Sequence, residues 1–245
     1  MPKSLNTKLV LFDLDGTLVD TAPDFVISLN NILKKYGRDV LDFDRIRSFV
    51  SEGSAKFTEI GFKITQGDPN FQTYRNEFLQ EYKNNLINKS VVFDGIDSVI
   101  SYLKDSDIAF GIVTNKPYDY ALPLVSYFKE LSDSKVLICP DHLKESKPSP
   151  EGILLACKKI GVSPSHTVYV GDHPNDLIAG KIIFDEKNYD GTLILPLPNN
   201  DGTCNGTYSL QKGGKGVWQI TCTNNMGAEG TLKWDGDGGV TGIGK

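Results

Sequence analysis

The sequence has no long apolar run, no cluster of basic residues and few histidines. Of its 245 residues only 3 are histidine, and 31 acidic residues outweigh 26 basic ones to give a net charge of −5. Because lysine and arginine are scattered, we expect no nucleic-acid partner. The apolar run from Leu9 to Phe12 ends at Asp13, too short for a signal peptide or a membrane span. We therefore expect a cytoplasmic protein with no membrane association.

Cysteine is also scarce. The chain has 4 cysteines, and they lack the paired spacing of a zinc site. Thiols stay reduced in the cytoplasm, so we expect free cysteines rather than a disulfide framework. Cys204 and Cys222 flank a predicted strand in a way that would suit a disulfide in an exported β module. For a cytoplasmic protein we expect both to be unpaired core residues.

The composition changes near residue 181 and divides the chain into two regions. More than half of the 24 glycines, and both tryptophans, Trp218 and Trp234, lie beyond it. Before it, short apolar runs alternate with helical patterns, which is typical of a parallel sheet covered by helices. The predicted strands of this sheet are residues 8–12, 109–113, 135–139 and 167–170.

An insertion without strand signals separates the first two predicted strands. Apolar residues at 25, 29, 32, 33 and 36 fall on one helical stripe, and those at 71, 74, 78, 82 and 86 fall on another. Thr21 with Asp24 resembles a capping box, and Gly37 would end the first helix. We predict that residues 21–91 form a helical cap, with residues 1–20 and 92–181 as the core.

The second region, residues 182–245, has a different local pattern. Asn-Gly, Asp-Gly and Gly-Gly pairs separate short runs at 192–197, 216–223 and 230–234, which predicts a small antiparallel β module. The whole pattern predicts an α/β fold: a Rossmann-like parallel sheet core with a helical cap inserted after the first strand, followed by a glycine-rich β segment. The sequence does not indicate the function of that segment.

Two carboxylates, Asp13 and Asp15, stand where the first predicted strand ends and Gly16 releases the chain into a loop. Ligands of α/β sheets bind at the carboxyl ends of the strands. Residues two apart in an extended chain point the same way, so both carboxylates can face one site while Leu14 packs behind. Close like charges need a cation or a shared proton. The alternative is a plain strand-ending turn, because Asp and Gly are common in turns.

Three further segments at or near strand ends carry polar residues suited to the same site. Thr114 and Asn115 end the second strand, Lys147 follows the third, and Asp172 and Asp176 follow the fourth. An acid pair, a hydroxyl, an ammonium and a second acid pair are the groups needed for Mg²⁺-assisted phosphoryl transfer. Their common position therefore favours a catalytic site over a plain turn.

These four segments, in this order, resemble the motifs of the haloacid dehalogenase superfamily over residues 8–181. The resemblance implies that Asp13 attacks phosphorus to form an aspartyl-phosphate, and that Asp15 is first the acid and then the base. It implies that Thr114 and the Asn115 backbone hold the phosphoryl oxygens while Lys147 neutralises charge. It also implies Mg²⁺ as cofactor, with these ligands: Asp13, the Asp15 carbonyl, Asp172 and Asp176.

The resemblance also narrows the reaction. Dehalogenases of the family lack the second acidic residue, so Asp15 favours phosphate over halide. A cap inserted after the first motif resembles that of phosphoglycolate phosphatases, which implies a small phosphate ester as substrate. A phosphomutase of the same fold stays open, because Lys56 or Arg75 in the cap could hold a second phosphate. Oligomeric state cannot be read from the sequence.

The resemblance ends near residue 181, where a family member would usually continue into a further edge strand and a final helix. Two alternatives follow: either residues 192–197 supply the lost strand, or the sheet keeps an exposed edge. A non-catalytic binding protein with an impaired core is therefore a second alternative, with the β module as its interaction surface.

Overall fold

A computed structural model describes residues 7–47, 49–182, 189–196, 203–211, 215–223, 227–234 and 240–244. The chain forms two compact units, Met1–Ile183 and Phe184–Lys245. Among the helices in these ranges, none combines the length and the apolar character needed to cross a bilayer.

Strands and helices of the first unit follow one another in the order expected of an α/β fold. In chain order they are β1 (Leu9–Phe12), β2 (Val19–Asp20), α1 (Ala22–Lys35), α2 (Phe43–Arg47), α3 (Gly53–Phe62), α4 (Phe71–Asn85), β3 (Val91–Val92), α5 (Ile96–Asp105), β4 (Ala109–Val113), α6 (Tyr118–Tyr127), β5 (Leu137–Ile138), α7 (Glu151–Ile160), β6 (Thr167–Val170) and α8 (Pro174–Ile182). Single turns of 3₁₀ helix occur at Val50–Glu52, Lys129–Leu131, Pro140–His142 and Pro164–His166.

The core of this unit is a parallel sheet of four strands within the described residues, in the order β5-β4-β1-β6. β1 lies between β4 and β6, with Phe12 opposite Ile112 on one side and Val170 on the other. The predicted Rossmann-like parallel sheet is thereby confirmed. The third strand is shorter than the predicted 135–139 and covers only Leu137–Ile138.

β1 is a buried strand because all of its side chains are apolar and alternate between two packed faces. Leu9 and Leu11 pack with α7 residues on one face. Val10 and Phe12 pack on the other face with α5 and α6 residues, and Leu14 continues that row. Burying each such side chain contributes about 1.5–3 kcal/mol. This packing fixes the end of β1, where Asp13 begins.

β6 is the edge strand next to β1, and its side chains are less buried than those of β1. Val168 and Val170 are 36% and 38% exposed, and Leu177 on the following helix is 73% exposed. The possibility that residues 192–197 replace the lost edge strand is wrong for residues 192–196, which belong to a strand of the second unit and pair antiparallel there; residue 197 lies outside the described residues.

The insertion after β1 is a helical cap made of α1 to α4. Its entry and exit strands, β2 and β3, pair antiparallel with Val19 opposite Val92. Aromatic rings fill its interior: Phe25 of α1 stacks on Tyr82 of α4 with ring centroids 4.0 Å apart, and Phe62 stacks on Tyr74. Large rings at helical spacing bury much apolar surface, which stabilises so small a subdomain.

The predicted capping box at the start of α1 is wrong. Thr21 is the N-cap residue but makes no capping hydrogen bond with its side chain. Asp24 is fully buried and accepts hydrogen bonds from the backbone N–H groups of Lys89 and Ser90, and from the Ser90 hydroxyl. Asp24 therefore ties α1 to the chain that leaves the cap.

The second unit is an antiparallel meander. Its strands are β7 (Tyr189–Pro196), β8 (Thr203–Gln211), β9 (Lys215–Cys222), β10 (Gly227–Trp234) and β11 (Val240–Gly244), and each pairs with the next along the chain. This confirms the predicted β-rich segment. Cys222 is disulfide-bonded, and its register partner on β8 is Cys204. The expectation of four reduced thiols is therefore wrong for Cys222, whereas Cys139 and Cys157 are free thiols as expected.

Candidate active site

The functional groups meet at the carboxyl end of the parallel sheet. Asp13 follows β1 and donates its backbone N–H to the carbonyl oxygen of Val170 at 2.8 Å, which continues the ladder between β1 and β6. Thr114 follows β4 and donates to the carbonyl oxygen of Ile138 at 3.0 Å. Because the ladders extend one residue past the strands, the first polar residues are held as firmly as the strands themselves.

Three carboxylates form an acid cluster at this end of the sheet: Asp13, Asp172 and Asp176. One oxygen from each lies within 4.8 Å of the others. Asp13 and Asp176 are buried, whereas Asp172 is exposed and accepts a hydrogen bond from the Thr17 hydroxyl at 2.9 Å. A set of hard oxygen donors with no sulfur or imidazole fits Mg²⁺ better than zinc.

Lys147 is a buried lysine whose ammonium group lies against this acid cluster. Its Nζ is 2.8 Å from Asp13 Oδ1 and 2.6 Å from Asp176 Oδ1. It also donates to the Val113 carbonyl at 3.1 Å and to the Tyr169 hydroxyl at 2.8 Å. An ammonium so placed offsets the charge of two buried carboxylates, which would otherwise be very costly to bury.

Asp13 is the carboxylate with the least hydrogen bonding in this arrangement. Among the described residues, the polar partner of its Oδ1 is Lys147, which forms an ion pair with it. Burial raises the pKa of Asp13 from 3.8 to about 6, although Lys147 acts to lower it, and the charge of Asp176 raises it further. A buried carboxylate in need of another cation is what a Mg²⁺ ligand should be before the ion binds.

Asp15 has a different set of partners, although it is only two residues further on. Its Oδ1 accepts hydrogen bonds from Lys116 Nζ at 2.9 Å and from the Thr21 hydroxyl at 2.6 Å. The side chain therefore stands between the core and the first residue of the cap. The role of its backbone carbonyl as a metal ligand stays a prediction.

Thr114 and Asn115 lie at the end of β4 as predicted. The buried Thr114 hydroxyl accepts a hydrogen bond from the backbone N–H of Lys116 at 3.1 Å, so its own hydrogen is available to a phosphoryl oxygen. The Asn115 side chain makes two hydrogen bonds to the backbone of Lys147, at 2.8 and 3.0 Å. Asn115 thereby fixes Lys147, while phosphate binding by its backbone stays a prediction.

Three residues of the site are missing from the sequence-based set: Thr21, Lys116 and Tyr169. Tyr169 donates its hydroxyl hydrogen toward Asp176 Oδ1 at 2.9 Å and accepts from Lys147, and burial raises its pKa. Lys116 directly follows Thr114 and Asn115, and this adjacency is the sequence signal that could have identified it. No comparable signal exists for Tyr169, because its partners are distant in sequence.

A cavity of about 150 Å³ adjoins the acid cluster. It extends from the core to the cap and is lined by Gly16, Asp20, Thr21, Ala22, Arg47, Val50, Phe93 and Asp172. Arg47 is its basic residue and forms an ion pair with Asp20 at 2.8 Å. The predicted cap residues Lys56 and Arg75 have other contacts, with Glu52 and with the Ser54 hydroxyl. Of these three cap cations, Arg47 is the one that lines the cavity.

A substitution at Gly16 is a test of the metal site that does not depend on turnover. Its φ is +84°, and a Cβ there would lie 2.7 Å from Asp172 Cγ. We expect Gly16→Ala to displace Asp172 and weaken Mg²⁺ binding by about ten-fold or more, as measured by calorimetric titration. Gly37→Ala is the matched control, because its φ is +62° and nothing lies within 4 Å of the new Cβ. Equal Mg²⁺ affinity in both variants would contradict the assignment of Asp172.

The part of the chain that contains these residues is similar to known proteins. The sequence matches the haloacid dehalogenase-like hydrolase family over residues 10–183. It is 36% identical over 179 residues to the N-acetylmuramic acid 6-phosphate phosphatase of Pseudomonas aeruginosa, covering 73% of this chain and 79% of that protein. It is 34% identical over 174 residues to the phosphoglycolate phosphatase of Xanthomonas campestris pv. campestris, with coverages of 71% and 78%.

The fold is similar to that of solved structures as well. A crystal structure of a predicted phosphoglycolate phosphatase from Haemophilus somnus 129pt has a TM-score of 0.65 at 26% identity, covering 73% of this chain and 82% of that one. The matched part of the sequence includes the acid cluster, Lys147 and the whole helical cap. The chain therefore belongs to the haloacid dehalogenase-like hydrolase family.

Proposed function

We propose that this protein is a Mg²⁺-dependent phosphatase that hydrolyses a small phosphorylated metabolite through an aspartyl-phosphate on Asp13. The observation that carries the proposal is the environment of Asp13: a buried carboxylate 2.8 Å from Lys147 and within the acid cluster. A carboxylate with no function is rarely buried at such a cost, and Asp13 is offset by Lys147 while two further carboxylates lie beside it.

Mg²⁺ would be held by Asp13, Asp172 and Asp176, with the Asp15 carbonyl as a further ligand. When bound, it would supply positive charge that offsets the carboxylates and the phosphoryl oxygens. Lys147 adds a second, fixed positive charge on the same group. Together they would allow an anionic nucleophile to approach an anionic substrate.

In the first step a carboxylate oxygen of Asp13 forms a bond to phosphorus while the bond to the ester oxygen breaks. Asp15 gives its proton to that leaving oxygen, which departs as an alcohol. The Thr114 hydroxyl donates to a phosphoryl oxygen throughout. In the second step Asp15 takes a proton from water, the resulting hydroxide oxygen bonds to phosphorus, and Asp13 is released with inorganic phosphate.

The proposed substrates are a phosphorylated sugar acid or phosphoglycolate. Two relatives above 30% identity are named for N-acetylmuramic acid 6-phosphate and for phosphoglycolate. The cavity of about 150 Å³ beside the acid cluster suits a small ligand, and Arg47 on its wall suits an anionic one. A cap of four helices over the site would exclude large phosphorylated partners such as proteins.

The direct test is phosphate release from a panel of small phosphate esters, with Mg²⁺ and with EDTA. We expect release of phosphate from at least one sugar-acid phosphate or phosphoglycolate only when Mg²⁺ is present. Equal release in EDTA would exclude the metal mechanism. Transfer of phosphate to another position of the substrate without release would establish the phosphomutase alternative. Arg47 is the residue that could bind the second phosphate group in that case. A folded protein with no turnover on any ester would establish the non-catalytic alternative.

We further propose the cytoplasm as the compartment. Charged phosphate esters do not cross bilayers unaided, so the enzyme must share a compartment with the reactions that make them. The disulfide of Cys222 is the observation against this proposal, because cytosolic thiols are kept reduced.

A further inference from the structure

Lys116 is a buried lysine that the catalytic steps above do not use. It is only 7% exposed and extends from the end of β4 toward the cap. Its Nζ donates to Asp15 Oδ1 at 2.9 Å and to the Tyr82 hydroxyl at 2.8 Å. The same atom lies 4.8 Å from the ring centroid of Phe25 and 4.7 Å from that of Tyr82. One ammonium group therefore contacts the acid–base residue of the core and two stacked rings of the cap.

The two hydrogen bonds to Asp15 leave its oxygens unequal. Lys116 and the Thr21 hydroxyl both donate to Oδ1, which fixes the rotation of the carboxylate. Oδ2 is then the oxygen left to carry the transferred proton. Both donors would have to shift before the carboxylate could turn over. The acid–base group is thus oriented by one core residue and one cap residue.

The cap rings hold Lys116 in place. Phe25 and Tyr82 stack with ring centroids 4.0 Å apart and planes 8° from parallel, so they form one rigid wall. Because Lys116 Nζ lies almost equally far from the two parallel ring centroids, it stands at their common edge, where the Tyr82 hydroxyl accepts its hydrogen bond at 2.8 Å. A buried ammonium without such a partner would be costly. Separation of the cap from the core would remove this wall and the Tyr82 hydroxyl from Lys116 at the same time.

We propose that Lys116 is the positioning residue for Asp15, holding Oδ1 so that Oδ2 transfers the proton, and that the cap rings Phe25 and Tyr82 keep Lys116 in that position. This inference rests on the proposed phosphatase function. It adds that the acid–base group is assembled only when α1 and α4 lie against the end of β4. A catalytic role is not assigned to Lys116, because its contacts are with Asp15 and the cap.

Leaving-group dependence separates this role from a structural one. An alkyl phosphate needs a proton on its leaving oxygen, whereas p-nitrophenolate leaves without one. For Lys116→Met we expect alkyl phosphate turnover to fall about a hundred-fold, the loss typical of a misplaced catalytic group. With p-nitrophenyl phosphate the first step persists but the second, which needs Asp15 as base, is slowed. Stopped-flow mixing should therefore show a burst of one p-nitrophenolate per enzyme followed by slow release.

Two further variants control the experiment. Lys35→Met removes a cap lysine that pairs with Glu77 at 2.7 Å and lies 5.5 Å from the Tyr36 ring centroid. These contacts are with a carboxylate and an aromatic ring, as for Lys116, but they do not include Asp15. We expect it to keep wild-type kinetics on both esters. Tyr82→Phe keeps the ring but removes the hydroxyl that Lys116 contacts, and we expect a smaller loss of the same leaving-group-dependent kind.

The outcomes are distinct. A folded Lys116→Met variant that slows both esters equally, without a burst, would overturn the inference. If that variant does not fold, Tyr82→Phe decides: wild-type turnover of both esters, or slowed turnover without a burst of p-nitrophenolate, overturns the inference in the same way. If the wild-type protein hydrolyses neither ester with Mg²⁺, the proposed function itself fails and the inference falls with it.

Discussion

Asp13→Asn is expected to abolish turnover and, in the absence of metal, to make the protein more stable. Loss of the nucleophile should lower kcat at least about a thousand-fold, as in other enzymes with covalent intermediates. The stability gain has a separate cause. Burial raises the pKa of Asp13 to about 6, so ionising it in the folded state costs free energy that an amide does not. Lys147 keeps its ion pair with Asp176 in the variant.

The sign of the pH dependence follows from the direction of that shift. The pKa of Asp13 is about 6 in the folded protein and 3.8 as its ordinary value. The protonated form therefore favours the folded state, and that stability is complete below pH 3.8 and is lost as the pH rises through 6. A shift of two pH units corresponds to about 3 kcal/mol. The wild-type protein should lose roughly this amount relative to Asp13→Asn between about pH 4 and pH 7.

Urea unfolding of both proteins in EDTA, at several pH values between 4 and 8, measures this difference. We expect the two free energies of unfolding to converge near pH 4 and to separate near pH 7. Saturating Mg²⁺ should stabilise the wild-type protein more than the variant, because the ion offsets the negative charge of Asp13, which the variant lacks. A variant less stable than wild type at pH 7 in EDTA would contradict the account of Asp13 as an under-stabilised carboxylate.

Lys147→Met is expected to have the largest destabilising effect of any single substitution in the site. The change leaves Asp13 and Asp176 buried without their cation, and it removes the donor to the Tyr169 hydroxyl and one of two donors to the Val113 carbonyl. Removing one partner of a buried ion pair costs about 3–5 kcal/mol. Activity should be lost as well, because the charge of the transferred group is no longer offset.

Urea unfolding at pH 7.5 in EDTA again provides the measurement. The matched control is Lys104→Met, which breaks an ion pair with Asp133 between half-exposed side chains, and we expect it to change stability little. Adding Asp13→Asn to Lys147→Met should recover part of the lost free energy, since it removes one of the uncompensated charges. Additive effects of the two substitutions would show that the charges of Asp13 and Lys147 are independent, contrary to the 2.8 Å contact.

The strand ends could be predicted from the sequence because their signal is local. A short apolar run followed by a polar residue is enough to place Asp13 at the end of β1 and Thr114 at the end of β4. Parallel pairing then brings these ends together whatever the rest of the chain does. The position of Lys147 needed the family resemblance as well, because it follows β5 only after a long loop.

The contacts between core and cap could not be predicted in this way. Thr21 and Asp24 have the spacing of a capping box, yet Thr21 donates to Asp15 and Asp24 accepts from Lys89 and Ser90. The side chains of Thr21 and Asp24 bond to partners distant in sequence because both are buried, where a polar group needs a hydrogen bond. The contact between Lys116 and Tyr82 could not be predicted for the same reason, although the position of Lys116 beside Thr114 and Asn115 indicates that it belongs to the site.

The central position of β1 has a consequence for how the protein is made. β1 pairs with residues 109–112 on one side and 167–170 on the other, so it lacks one of its two sheet partners until residues 167–170 have left the ribosome. At a synthesis rate of 5–20 residues per second, it waits roughly ten to thirty seconds for β6. During that interval the four apolar side chains of β1 lack part of the cover that they have in the folded protein, which favours aggregation. The strands of the second unit, each paired with its sequence neighbour, have no such delay.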